Sequence, residues 1–347
     1  MNGSMDGVLF TGGTGFIGSH VVREFCSNGI KTGCLVRQGR SLTNIDGLSV
    51  KIEHGDIEDL EGLKKIFARY SFVIHIAARA GDWGSYEEFY NANIEGTLNV
   101  LKACAANGIR DVIITSSISV YGEENSMCIK NENSTHNSHY HYFADKVFPC
   151  GMNYYRDTKA LAKEKAIWYA QENGLNLTIL EPVWVYGERE FNTGFYEYLK
   201  TCASGIPFLP GSYKNKFHVV YVKDLARAYL LAYKKRLEGI NSFIIGSESA
   251  QKMNEIYRIF CDKAGIRKPR NIPKVLVYPF AFIIELLYTV FRSKKAPILT
   301  RGRLNMFYDN IEYSTQKAKT VLEFVNEYSL EKGIENTVKW YKDRKLI

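Results

Sequence analysis

Tyr155 and Lys159 stand four residues apart in the stretch NYYRDTKA, residues 153–160. Four residues is one helical turn, so on a helix the two side chains share a face. A free phenol near pKa ~10 is a poor base at neutral pH. A neighbouring ammonium favours the phenolate and brings its proton within working range. The pair is therefore a candidate proton-transfer device, although any amphipathic helix can supply a tyrosine and a lysine at this spacing. Tyr154 lies about 100° round the helix from Tyr155 and is expected to pack or to line a pocket wall.

A second set of residues suggests a ligand. TGGTGFIG, residues 11–18, follows the apolar run GVLFT and opens a helical pattern. Gly12 permits a tight turn, Gly15 lets the backbone approach a diphosphate, and Gly18 lets the helix pack closely on a strand. The diphosphate would sit on the helix's positive N-terminal end. The plain alternative is a glycine-rich turn without a ligand. After the second strand the chain reads LVRQGR. An acid there would bind an adenosine ribose hydroxyl, as in NAD enzymes. Arg37 and Arg40 suit a 2′-phosphate instead, which favours NADP, unless they are merely solvated. Asp56 ends the third strand and would accept from an adenine amino group or cap a turn. Ala77 and Ala78 are small enough to let a cofactor lie against the backbone.

The elements that must position these residues alternate. Strands are expected at 7–11, 32–36, 49–56, 72–78, 112–117 and 176–182. Helices are expected at about 16–28, 58–69, 85–107 and from NYYRDTKA to about Asn173. Such alternation implies right-handed crossovers and an α/β fold, a Rossmann-type doubly wound parallel sheet. Residues 1–182 form the expected NAD(P)-binding domain, its sheet completed within 216–246 by FHVVYV (217–222) and FIIG (243–246). Residues 183–215 and 247–347 form the expected smaller α/β substrate-binding lobe.

Composition excludes several classes. The chain has 347 residues, 46% hydrophobic and 24% charged, which is ordinary for a globular protein. Its net charge is +8, but residues 267–303 hold nine basic side chains and one acid, Glu285. That segment carries the whole excess, so nucleic acid is not an expected partner. Seven cysteines are scattered without a CxxC pair. With no apolar leader in MNGSMDGVLF, they point to a reducing, cytoplasmic setting.

The motifs together resemble the extended short-chain dehydrogenases/reductases of the NAD-dependent epimerase/dehydratase superfamily. TGGTGFIG is followed in family order by GD at 55–56, HIAA at 75–78, NxxGT at 93–97 and TSSISVYG at 115–122. YxxxK at 155–159, EPVWVYG at 181–187, VVYVKDLARA at 219–228 and EYSLEKGIENTVKWYKD near the end complete the series. The LVRxxS-like loop, DWGSYEEFYNANIEGT and the apolar segment 275–291 look most like the 3β-hydroxysteroid dehydrogenase and dihydroflavonol-reductase-like branch. The resemblance implies that Ser117 bonds the substrate oxygen, Tyr155 is the general acid/base, and Lys159 binds the nicotinamide ribose and lowers the tyrosine's pKa. It implies a cofactor site of Gly12, Thr14, Gly15, Phe16, Ile17, Gly18, Arg37, Arg40, Asp56, Ile57, Ala77, Ala78, Asn93, Ser116, Tyr155, Lys159, Pro182 and Val185. It also implies a homodimer. Three departures stand out. Glu181 replaces the usual arginine before Pro182, Thr158 replaces a preferred serine, and residues 123–152 look like an insertion.

His136, His139 and His141 lie in that insertion, but their spacing fits no strong metal motif. A polar lid near the site is the expected reading, with no metal. The segment 275–291 is marginal for a bilayer span and holds Pro279 and Glu285. It can be lobe core, a lid over a greasy substrate, or a peripheral membrane contact within the basic patch. The expected function is alcohol/ketone interconversion on a hydrophobic, sterol-like or polyketide/flavonoid-like small molecule, with NADP preferred and NAD possible. The alternatives are a nucleotide-sugar epimerase or dehydratase, and a catalytically silent NADP-binding sensor or scaffold.

Overall fold

The computed structural model describes residues 7–122, 128–191 and 194–347. The first five residues of the expected insertion lie outside them. Seven strands form one parallel sheet: β1 (Val8–Thr11), β2 (Thr32–Val36), β3 (Val50–His54), β4 (Phe72–His75), β5 (Asp111–Thr115), β6 (Asn176–Pro182) and β7 (Ile240–Ile245). Their spatial order is β7-β6-β5-β4-β1-β2-β3. The order reverses between β1 and β4, so the crevice at their C-terminal ends is where an open α/β sheet binds its ligand.

Both faces of the sheet are covered, which is why β1, β2 and β4 are buried along their whole length. Val8 and Phe10 point to one face and meet Val21, Val22 and Phe25 of α1 (Phe16–Ser27). Leu9 points to the other, where α2 (Leu60–Phe67), α3 (Gly96–Ala106) and α4 (Gly151–Glu172) bring Leu63, Leu101 and Ala166. This alternation follows from the strand's two-residue period.

Two local results differ from the sequence reading. The stretch expected as one helix at 85–107 runs as Tyr86–Tyr90, a π turn at Asn91–Glu95 and then α3. The stretch 217–222 does not join the main sheet. Val219–Tyr221 pairs instead with Trp184–Tyr186 in a separate parallel ribbon, and α5 (Val222–Lys235) begins directly after it. Only β7 extends the sheet, beside β6. A later helix, α6 (Lys274–Val290), carries the apolar segment.

Candidate active site

The glycine turn sits at the end of β1 in the switch-point crevice. Gly12 adopts φ +73, and a Cβ there would lie 2.6 Å from the Ala77 backbone nitrogen. A Cβ on Gly18 would lie 2.1 Å from the Gly12 carbonyl oxygen. Both positions therefore exclude larger residues. Gly15 is exposed and caps α1 without any side-chain hydrogen bond. The helix thus keeps first-turn N–H groups for an anion.

The ends of β1 and β4 are locked by a buried chain of hydrogen bonds. The Thr97 hydroxyl donates to the Asn93 carbonyl oxygen at 2.7 Å, so it accepts from His75 Nε2 at 3.0 Å. His75 Nδ1 then accepts from the Thr11 hydroxyl at 2.7 Å. Burial, and then the Lys159 charge, hold His75 down at about 3, consistent with this neutral tautomer. The π turn aims Asn93 inward. Its Oδ1 accepts from Arg79 N at 2.8 Å, and its Nδ2 donates to Thr158 Oγ1 at 3.0 Å and the Arg79 carbonyl at 3.1 Å. Thr158, the family's usual serine position, lies between Tyr155 and Lys159, so Asn93 ties α4 to the loop after β4.

The structure brings Lys159 against the end of β5. Its Nζ donates to the Thr115 carbonyl at 2.6 Å. Burial lowers the ammonium from 10.5 to about 8, with the Glu181 charge opposing. Ser116, Lys159, Lys163 and Thr97 line one small cavity there. Ser116 Oγ is buried with no hydrogen-bond partner among the described residues, as a ligand-facing hydroxyl would be. Ser117 is extended and caps the turn Ile118–Tyr121, accepting from Ser119 N at 3.1 Å. Tyr155 is half-buried on α4, while Tyr154 packs edge-on against Tyr86 at 5.6 Å.

Other expected positions are placed as follows. Arg37 and Arg40 are exposed just beyond β2. Asp56 Oδ1 accepts from Glu58 N at 3.1 Å, the turn arrangement. Pro182 ends β6, and Val185 lies in the ribbon beyond it. His139 is not part of a metal cluster among the described residues. Its two nitrogens meet Asp157 Oδ2 at 2.7 Å and Asp145 Oδ2 at 2.8 Å. These carboxylates, chiefly Asp157, raise its pKa against partial burial.

Sequence reasoning missed the partners of Glu181. The carboxylate is fully buried, 2.9 Å from Lys163 Nζ and 2.6 Å from the Tyr121 hydroxyl. Lys163 lies one turn beyond Lys159, and that four-residue spacing was the available signal.

Residues 8–246 match the model of the NAD dependent epimerase/dehydratase family. The chain belongs to that family. The 2-alkyl-3-oxoalkanoate reductase of Stenotrophomonas maltophilia is 27% identical over 337 residues, covering 94% of this chain and 97% of that protein. The decarboxylating sterol-4-alpha-carboxylate 3-dehydrogenase of Saccharomyces cerevisiae is 26% identical over 362 residues, covering 97% and 98%. A Thermotoga maritima UDP-glucose 4-epimerase, solved with UDP-glucose, has a TM-score of 0.76 at 23% identity over 98% of this chain and 99% of that one. At that identity the likeness is one of fold. As a family member resembling the sterol dehydrogenase and dihydroflavonol-reductase-like branch, the chain is a nicotinamide-cofactor-dependent enzyme of the extended short-chain dehydrogenase/reductase type. The glycine turn, the uncapped α1 and the orphaned Ser116 hydroxyl fit such a cofactor.

Proposed function

We propose that the chain is an NADP-preferring oxidoreductase that interconverts an alcohol and a ketone on a hydrophobic, sterol-like or polyketide/flavonoid-like molecule. The observation that carries this reading is the placement of Lys159. A buried ammonium is anchored on Thr115, two residues before Ser117, and lies one helical turn from Tyr155.

A bound nicotinamide would supply the hydride. Ser117 Oγ would hydrogen-bond the substrate oxygen. Tyr155 would give that oxygen a proton in reduction and remove it in oxidation. The Lys159 ammonium would lower the phenol's pKa and hold the ribose. The α1 amides behind Gly12, Gly15 and Gly18 would bind the diphosphate, and Arg37 with Arg40 the 2′-phosphate. Asn93, fully occupied with Arg79 and Thr158, is a positioning residue. Residues 183–215 and 247–347 would form the substrate lobe.

Two features favour a hydrophobic substrate over a nucleotide sugar. Glu181 is closed into a buried ion pair where the family usually has arginine. The lobe also carries an apolar helix, α6, joined to the loop after β4 through Trp83. A homodimer is proposed from the family resemblance, and a cytoplasmic setting from the scattered cysteines without a CxxC pair. The test is a cofactor-absorbance screen against sterols, flavonoids and nucleotide sugars. Turnover of an alcohol or ketone in one of the first two classes is expected, and turnover confined to nucleotide sugars would reverse the reading.

A further inference from the structure

Helix α6 rests on the protein along one narrow face. Ala281 and Glu285, one turn apart, are buried. Glu285 is held by Arg301 through Nε–Oε2 at 2.8 Å and Nη2–Oε1 at 3.1 Å. On roughly the opposite side, Leu276, Phe280, Ile283, Leu287 and Val290 recur at spacings of four, three, four and three, which makes one stripe. All five are exposed, Phe280 and Val290 each by 65%, and Phe291 continues the stripe at 78%. A helix that merely filled the lobe's core would not leave these side chains in water.

The C-terminal end of the stripe is strongly cationic, and the N-terminal end carries one lysine in a long ion pair. Lys274 opens the helix, with its nearest acid, Asp309, at 3.9 Å. Arg292, Lys294 and Lys295 follow the helix, are exposed, and make no ion pair among the described residues. A second copy pairing in parallel through this stripe would set Arg292, Lys294 and Lys295 against their own copies, and an antiparallel one would set them beside Lys274 without supplying an unpaired acid. Anionic headgroups complement the exposed cluster of Arg292, Lys294 and Lys295 and leave Lys274 within reach of the same surface. A span is excluded for this helix by its 17 residues, its internal Pro279 and its buried ion pair. No helix among the described residues is long and apolar enough to cross a membrane.

We propose that α6 is a peripheral membrane contact: the stripe enters the headgroup–acyl boundary of an anionic bilayer, and Lys274, Arg292, Lys294 and Lys295 bind its headgroups. The contact uses the same helix that favours a hydrophobic substrate in the proposed function, but vesicle binding is read without any substrate, so the two can fail separately. The contact would also seat the loop before α4 near the lipid, because Arg301 holds that loop through the Phe143 and Phe148 carbonyls.

The test is co-sedimentation of the full chain with phosphatidylcholine vesicles, with and without phosphatidylglycerol. The chain should pellet with the anionic vesicles, and less so at high salt. A surface-bound basic residue contributes about fivefold, so R292E/K294E/K295E should weaken binding by more than about tenfold. Phe280→Ser/Leu287→Ser should weaken it as well. Every altered side chain is exposed, so both variants should keep the wild-type circular dichroism spectrum. The proposal is overturned if the wild type does not pellet with anionic vesicles, or if neither variant changes its binding. It is also overturned if Phe280→Ser/Leu287→Ser instead breaks a vesicle-free dimer while leaving sedimentation unchanged.

Discussion

Lys163 Nζ lies 2.9 Å from Glu181 Oε1 and 2.8 Å from the Tyr121 hydroxyl, one turn beyond Lys159 on the same helix. The Tyr121 hydroxyl in turn donates to Glu181 Oε2 at 2.6 Å. Burial raises the Glu181 carboxyl, and Lys163 chiefly opposes that rise. The same carboxylate supports the Lys159 ammonium. The residue that departs from the family pattern therefore has its own counter-charge and still acts on the candidate site electrostatically.

Removing one member leaves the other charge buried, which typically destabilises by about 3–5 kcal/mol. Glu181→Gln and Lys163→Met should each do so in guanidinium unfolding. The double variant should lose less than the sum of the two, because the buried pair acts as a unit. Strict additivity would mean that the pair is not coupled.

Lys159 gives a pH signature. Its folded value of about 8 lies below its ordinary 10.5. Between those values the unfolded chain binds more protons, so this group makes stability rise with pH there. Below pH 8 both states are protonated and the burial penalty is fully present. Lys159→Met should therefore be more stable than wild type near neutral pH, by on the order of 3 kcal/mol, with the advantage shrinking towards pH ~10. Cofactor-linked turnover should be lost at the same time. Urea unfolding at the two pH values decides it, and a variant no more stable at neutral pH would contradict the penalty.

Asn93→Ala removes the bonds to Thr158 and to both backbone groups of Arg79. Losing buried partners of this kind costs about 1–3 kcal/mol. A thermal melt should show a loss of that size, and an unchanged midpoint would remove Asn93 from the positioning chain.

Arg37→Ala should weaken NADP binding by about tenfold or more, the usual scale for a hydrogen bond to a charged group. NAD binding should stay within about twofold. Calorimetry with both cofactors measures this, and equal or tighter binding of NAD by the wild type would overturn the NADP preference.

What could be read from sequence was local. The strand–glycine–helix turn at Gly12, Gly15 and Gly18 and the shared face of Tyr155 and Lys159 follow from short-range geometry. So does the alternation that gives the parallel sheet. The π turn was not legible, since one extra residue per turn leaves no composition signature around Asn91–Glu95. The Glu181–Lys163–Tyr121 set joins residues up to 60 apart in sequence; the four-residue spacing of Lys159 and Lys163 put Lys163 on the site's face of the helix, but nothing local pointed to Glu181 or Tyr121. The run FHVVYV reads as a sheet strand, yet its Val219–Tyr221 pairs with Trp184–Tyr186 and its Phe217 with Gln251. For α6 the apolar sequence was plain, but which face meets solvent depended on Arg301 capturing Glu285 from across a loop.

The most direct measurement compares wild type and Tyr155→Phe in cofactor-linked turnover of the hydrophobic alcohol or ketone found in the screen, with NADP binding checked in parallel by calorimetry. Loss of a positioned general acid/base is expected to lower kcat by roughly 10²–10⁴-fold, with NADP affinity nearly unchanged. Unchanged turnover in Tyr155→Phe would contradict the assignment of Tyr155 as the proton donor and acceptor.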